Sequence, residues 1–462
     1  MLLIFPMENL NLKETFLQHP KLQELIKEAE QAISFEKIMI AIWKLIAIVA
    51  VCVMEEILRH RAQATTEWPL CPVCGKRLES KGFAPRQLKT IFGVVNWKRR
   101  VGRCPNRCEI GQVVPLDEAL GLKPYQATCE TVERIACLLA VFLPFKIAAF
   151  LVQQCLNLYV SASSLWYWTQ SAGSVAMEEL GQELKQLQEG KEPSPEELSE
   201  KVSRMKLLIG GDGVMVPFRP TPETPAGKTQ WQEIKVGILA RLTKRVTRAG
   251  KTVSVLVHKR VTAVLGDITE FNVRLKLEAL RQSITKAPEV VWISDGARGL
   301  WNIFDTTFAL YAIGILDFYH ATQNLWKGVA AWLDGRTNQA REWFSKARHD
   351  LRHGQCDKVI NALKQAGSST ALSDEVKDTL RQVIAYLENH QSHMDYQRFK
   401  DIGLPIGSGF VESTCKWLIQ QRFKGVGMRW SVDGFNRLLH LRLAYINGRF
   451  DSIFKQCTSP NH

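Results

Sequence analysis

Three carboxylates stand in settings suited to holding hard cations: Asp212 in LLIGGDGVMV, Asp295 in VVWISDGARG and Glu412 in IGSGFVEST. Leu207 to Gly210 and Val290 to Ser294 are short apolar runs, the second rich in β-branched and aromatic residues, and an Asp-Gly pair follows each. A carboxylate at a strand's end, with glycine after it, is free to point out of a sheet edge. Glu412 follows a Gly-Ser-Gly breaker and opens the pattern Phe410, Val411, Leu418, Ile419, Phe423, which reads as a helix. Two strand-borne aspartates and one helix-borne glutamate brought to one spot make an oxygen-ligand site for Mg²⁺ (or Mn²⁺). Paired ions of that kind serve phosphodiester cleavage, one at the attacking oxygen and one at the leaving oxygen. An Asp-Gly pair alone is an ordinary turn; the order and settings of all three acids carry the reading. Asp317 and His320 form DFYH after a further apolar run. An imidazole there is either a structural hydrogen-bonder or, beside the acids, a group that orients a phosphate or shuttles a proton.

A second constellation is CPVC, with Cys71 and Cys74, and CPNRC, with Cys104 and Cys108. Each pair is close enough for both thiolates to ligate one tetrahedral, structural Zn²⁺, the spacing of a zinc ribbon; four unconnected cysteines are the alternative. Between the pairs, RQLKTIFGVVNWKRRVGR reads as a hairpin whose exposed face is cationic, with Lys98, Arg99, Arg100 and Arg103 as phosphate contacts. Cys52, Cys129, Cys137, Cys155, Cys356, Cys415 and Cys457 lack ligand spacing and read as buried or incidental. The net charge of +14 is clustered, in the hairpin region and again from Lys235 to Arg260, which points to a polyanionic partner. No cleavable signal sequence is visible, and the run Ile38 to Met54 is interrupted by Lys44. It reads as a buried amphipathic helix rather than a membrane span, which implies a cytoplasmic protein with no membrane partner.

The elements that must position these residues follow from periodicity. Residues 1–67 read as helical, 68–115 as the zinc ribbon and 116–187 as helical, with 188–204 a linker of Pro, Glu and Ser character. Residues 205–320 carry strands at Leu207 to Val216, Ile234 to Leu242, Val253 to His258, Val290 to Ser294 and Phe308 to Leu316, with a helix from Phe271 to Ser283. Residues 321–404 form a helical insertion and 405–462 return to the core. Three antiparallel strands, a helix and two further strands are the order of a ribonuclease H-like sheet. The chain is therefore expected to be an α+β multidomain protein, its mixed-sheet catalytic domain preceded by helical and zinc-ribbon DNA-binding modules. Within the second helical region, residues 145–170 have the layout of a helix-turn-helix, equally that of a plain helical hairpin. On the first reading Ser163, Ser164 and Trp166 begin the recognition helix. Trp326 either packs in the core or stacks on an unpaired base. Lys416, Arg422, Lys424 and Arg429 are placed to follow a DNA backbone.

Taken together, CPVCGKRLESKGF, WKRRVGRCP, GQVVPLDEALGL, GGDGVMVPF, WISDGARGLW, LDFYHATQNLW and GSGFVESTCKWLIQQRFKGVGMRWS resemble the blocks of the DDE transposases of bacterial insertion sequences. The likeness is strongest to the Kra-type family and more distant to Mutator-like elements. It implies that Asp212, Asp295 and Glu412 take the metal-binding catalytic places, with Asp317 and His320 in the place of a (C/D)xxH signature. It further implies double-stranded DNA as partner, both element ends and target, hydrolysis to free a 3′-hydroxyl, joining of that hydroxyl to target DNA, and a homodimer or higher oligomer. A nuclease or resolvase without strand transfer and a catalytically silent DNA-binding descendant are the competing readings.

Overall fold

The structure, a computed structural model, describes residues 19–250 and 252–455, so Cys457, Lys251 and any helix before His19 lie outside the described residues. It divides into two compact units, residues 19–172 with 451–455, and residues 173–450.

In the first unit, helices α1 (Pro20–Glu30) and α2 (Phe35–Gln63) precede a hairpin of β1 (Glu79–Thr90) and β2 (Gly93–Arg103). Ser34 caps α2 by accepting from the Lys37 amide. The hairpin rests on the C-terminal half of α2: Val51, Met54 and Leu58 pack on Leu88, Val95 and Trp97, and the Asn96 amide donates to Glu55 Oε1 at 2.7 Å. Expectation and structure part at α2, where only Ala41, Cys52, Glu56 and Ala62 are buried. Phe35, Met39, Ile42, Trp43 and Ile46 are exposed, because α1 and the hairpin cover other sides of the helix. Among the described residues, α2 alone is long and apolar enough to cross a membrane. Beyond the hairpin, α3 (Glu130–Phe142), α4 (Phe145–Leu156) and the start of α5 (Ala162–Gln188) close around Val132, Ala136, Ala148, Val152 and Leu165.

The second unit is built on a mixed five-stranded sheet of β3 (Lys206–Phe218), β4 (Gln230–Val246), β5 (Thr252–Val264), β6 (Val290–Ser294) and β7 (Ala312–Leu316). Their spatial order is β5-β4-β3-β6-β7, with β3 to β5 antiparallel and β6 and β7 parallel to β3. This is the α+β arrangement expected from the order of strands along the chain. Every residue of β6 is buried, as an unbroken apolar run in a covered parallel strand requires. Helix α6 (Ile268–Arg281) packs on the sheet so closely that a Cβ at Gly237 would come within 2.8 Å of Leu275 Cδ1.

Two boundaries are corrected. The fifth strand begins at Ala312, not Phe308; Phe304–Phe308 is π-helical, and Phe308 stacks on Trp292 with ring centroids 5.5 Å apart. Residues 188–204 are also less of a linker than their composition suggests. Helix α5 runs to Gln188, Glu200–Ser203 is helical, and the Glu196 amide donates to Arg281 O at 2.8 Å. The Glu196 carboxylate accepts from Arg260 Nε and Gln282 Nε2, each at 2.8 Å. Burial alone would raise this carboxyl, but those two partners hold it below its ordinary range. Residues 318–401 are largely helical: α7 (Phe318–Leu333), α8 (Asn338–Arg352), α9 (Cys356–Gly367), α10 (Asp374–Asn389) and α11 (Tyr396–Asp401). Then come α12 (Gly409–Thr414), a π-helical stretch Cys415–Gln420, and α13 (Val432–Ile446).

Candidate active site

The parallel pairing of β3 with β6 ends at Gly211 and Ser294. Asp212 and Asp295 are the next residues on each strand, so their Cα atoms are neighbours at the edge where the two strands part. The expectation that Asp212 stands at a strand end is corrected: β3 continues to Phe218, paired with β4 throughout. It is the end of β6 that opens space beside Asp212. The Asp212 carboxylate accepts from the Gly213 amide at 2.7 Å, and Asp295 accepts from the Ala297 amide at 3.0 Å.

Glu412 reaches the same edge through close packing of α12 on β3. A Cβ at Gly210 would lie 2.6 Å from Val411 Cγ2 and 3.0 Å from Phe410 Cε2, so only glycine admits α12 at this distance. One helical turn beyond Glu412, Cys415 Sγ lies 3.9 Å from Asp212 Oδ2. Burial pushes the Asp212 carboxyl up from its ordinary range; the charges of Asp295 and Glu412 push the same way, while the Gly213 amide and His320 oppose them. The charges of two acids on other elements therefore reach Asp212, and a nearby cation would offset them. Among the described residues, the oxygens of the three acids do not gather within 4.8 Å of one another as the sulfurs of Cys71, Cys74, Cys104 and Cys108 do.

Asp317 caps α7 and ties that helix to α12. Its Oδ1 accepts from the His320 amide at 2.7 Å, its Oδ2 accepts from the Ser408 amide, and Phe318 N–H donates to Ile406 O at 2.8 Å. His320 Nδ1 lies 3.2 Å from Asp317 Oδ1. Burial would raise the Asp317 carboxyl, but His320 and the Ser408 amide outweigh it and hold it at about 2. In return, Asp317 raises the His320 imidazole against the opposing effect of burial, and the charges of Asp295 and Asp212 reinforce the shift. Asp317 thus has both oxygens committed, whereas His320, its side chain one-third exposed, lies within reach of the charges of Asp295 and Asp212. Sequence reasoning missed Tyr386 on α10: a Cβ on Gly296 would fall 2.1 Å from its ring. Its phenol is raised by burial and then by the charge of Asp295. The glycine after Asp295 is the only local trace of this contact.

The Sγ atoms of Cys71, Cys74, Cys104 and Cys108 lie within 4.8 Å of one another, so this cluster could hold a structural metal such as zinc. Cys74 and Cys104 sulfurs are 3.4 Å apart, near the roughly 3.8 Å that tetrahedral ligands at about 2.3 Å would span. Gly75 and Arg107, both at positive φ, form the knuckle turns, with Gly75 N–H on Cys71 O and Arg107 N–H on Cys104 O. Burial would raise the Cys104 thiol, but the Cys108 amide and Cys74 bring it down to about 6, while Cys108 is pushed up to about 12 by Cys104 and Cys74.

The proposed phosphate contacts divide. Lys98 and Arg103 are exposed and Arg100 lies over Phe83, 5.2 Å from the ring centroid. Arg99 is a correction: it is buried, donating to Asp117 and to the carbonyls of Ala84 and Pro85. In the second basic run, Arg241 is likewise buried and Arg260 is taken up by Glu196, whereas Lys244, Arg245 and Arg248 are exposed. Lys416, Lys424 and Arg429 are exposed, but Arg422 is 1% exposed, its guanidinium against Phe423 and Trp430, so it cannot follow a DNA backbone. The helix after Glu412 is also not continuous α-helix; its π-helical stretch precedes an end at Phe423. Between α4 and α5, Asn157 adopts the left-handed conformation and Ser161 accepts from the Ser164 amide at 3.0 Å. Ser163 and Trp166 are exposed and Ser164 half-buried, while Gln170 is buried. Trp326 meets Phe344 edge to face at 5.0 Å and lines an open recess of about 690 Å³ with Lys327, Arg341 and Arg348.

No family model and no curated protein matches this chain. A solved structure, the "Drosophila P element transposase strand transfer complex", is similar at 9% identity over 74% of this chain and 84% of that one, with a TM-score of 0.24. Similarity that distant transfers neither residue roles nor an activity.

Proposed function

We propose that this chain is a DNA transposase of the DDE type, in which Asp212, Asp295 and Glu412 hold Mg²⁺ or Mn²⁺. The observation that supports this most is that Asp212 on β3 is flanked by Asp295, just past the end of β6, and feels the charges of both Asp295 and Glu412 on α12. When bound, the metal would supply Lewis-acid stabilisation at the attacking and leaving oxygens. The chain's own residues do the rest. Asp317 fixes the start of α12 through Ser408 and so sets where Glu412 stands. His320, its imidazole shifted toward the cationic form by Asp317 and the nearby acids, is placed to meet a phosphate oxygen. Lys98, Arg100, Arg103, Lys416 and Lys424 neutralise DNA phosphates, the segment from Ser161 reads base edges, and Trp326 stacks on an unpaired base. Freeing a 3′-hydroxyl and directing it at target DNA calls for two element ends held together, hence a dimer or larger assembly.

The test is Asp295→Asn, assayed with DNA flanking the coding region. Mg²⁺-dependent cleavage should fall by roughly 1,000-fold or more, as for loss of a group acting only in the transition state, with DNA affinity unchanged. Equal loss of binding, or full cleavage, would sink the assignment. Products that are cut but never joined would favour a nuclease.

A further inference from the structure

The exposed face of α2 is more apolar than a solvated surface sustains. Ile33, in the turn just before α2, is 96% exposed and Phe35 81%, and Met39, Ile42, Trp43 and Ile46 are each about half exposed. At about 200 Å² for a large side chain, these six present roughly 700 Å² together. Monomers rarely expose apolar patches beyond a few hundred Å², and a standard interface takes about 800 Å² from each partner. The spacing is regular: Phe35, Met39, Ile42, Ile46, Val49 and Val53 alternate steps of four and three, the 3.5-residue period of a helix that packs along another helix. The covered sides are accounted for, since α1 lies against α2 through the Lys44–Glu28 pair and the hairpin holds the C-terminal half through Glu55.

We propose that α2 is a self-association surface, its Phe35, Met39, Ile42 and Ile46 stripe packing on the same stripe of a second copy of this chain. The occupant is a second copy rather than a bilayer for two reasons. Lys44, midway along the apolar run and paired with Glu28, would enter the hydrocarbon, where a central charge is strongly disfavoured. The same helix also carries the hairpin on its C-terminal half, where a spanning helix would have to meet lipid. A two-fold arrangement lets each copy present the same face to the other. The surface offers a place for the pairing of copies proposed above but rests on no part of the catalytic reading, so Asp295→Asn and the variants below fail independently.

The experiment is sedimentation of the full chain at micromolar concentration, with Ile46→Glu and, separately, Met39→Glu. Both positions are about half exposed, so neither change disturbs a buried core. The wild type should sediment near twice 52.4 kDa. Each variant should raise the dimer dissociation constant by roughly 100-fold, the loss of an interface anchor in both copies, with an unchanged circular dichroism spectrum. Flotation with phosphatidylcholine vesicles is run alongside. A monomeric wild type, a dimer indifferent to both substitutions, or vesicle binding that either substitution abolishes would each overturn the proposal.

Discussion

Gly210→Ala places one methyl group between β3 and α12. That Cβ would stand 2.6 Å from Val411 Cγ2 and 2.9 Å from Ile293 O. Carbon atoms rest at about 3.5–4.0 Å, so α12 must retreat by about 1 Å or β3 must bend. Overpacking of this kind costs about 1–3 kcal/mol. Replacing glycine in extended backbone returns about 0.4–1 kcal/mol through the unfolded chain, leaving a net loss of roughly 0.5–2 kcal/mol. The chemical effect should be larger than the stability effect. The same retreat moves Glu412 from Asp212, and a misplacement of about 1 Å costs on the order of 100-fold in rate. Thermal melting and Mg²⁺-dependent cleavage would be measured in parallel on Gly210→Ala, Val411→Ala and the double variant. Val411→Ala alone should lose about 2 kcal/mol of buried contact. In the double variant the losses should fall short of additive by about 1 kcal/mol, with cleavage partly restored. An unchanged melt and rate in Gly210→Ala, or strict additivity, would refute the account of how Glu412 is placed.

A second prediction concerns His440, buried with Nε2 2.7 Å from Arg274 Nη1 and Nδ1 2.7 Å from Asn436 O. Burial, then the Arg274 charge, lower its imidazole to about 4, so the folded state favours the neutral ring. Stability is then complete above about 6.5 and falls as pH drops from there toward 4, by on the order of 3 kcal/mol. His440→Asn should flatten melting temperature against pH over that range; a wild-type profile already flat would count against it. A third concerns the sulfur cluster: purified protein should carry one zinc per chain, and a chelator or Cys74→Ser should lower the melting temperature and DNA affinity together. Folded protein without bound metal would reject that claim.

The strand order could be read from the sequence because each strand has a local signature. The short run Val290–Ser294, β-branched and followed by Asp-Gly, reads as a covered strand, and β3 announces itself by Leu207, Leu208 and Ile209. Phe304 and Phe308 defeated the same reasoning, since an apolar run looks alike whether a strand or a helix buries it. Arg99 and Arg422 were misplaced for a related reason. Charge suggests a surface, and their partners, Asp117 and Trp430, come together only on folding. Each of the three acids and each cysteine pair drew attention through its own local setting, Asp-Gly after an apolar run, Gly-Ser-Gly before a helix, or two cysteines a few residues apart. Tyr386 did not, as it arrives from α10 some ninety residues after Asp295 along the chain. The exposure of α2 was hidden because composition reports what a side chain prefers, not whether anything covers it.

The π-helical stretch Cys415–Gln420 has a bearing on how this chain should be aligned with others. Its hydrogen bonds span one residue more than those of an α-helix. Such a stretch has the geometry of a single inserted residue absorbed without breaking the helix. Deleting one residue there should restore α-helix and leave the side chains downstream facing as they do, with Arg422 still seated beside Trp430. Relatives one residue shorter between Glu412 and Phe423 would therefore present the same downstream side chains from a regular α-helix. A residue-for-residue comparison across this segment is meaningful only when the gap is placed between Cys415 and Gln420.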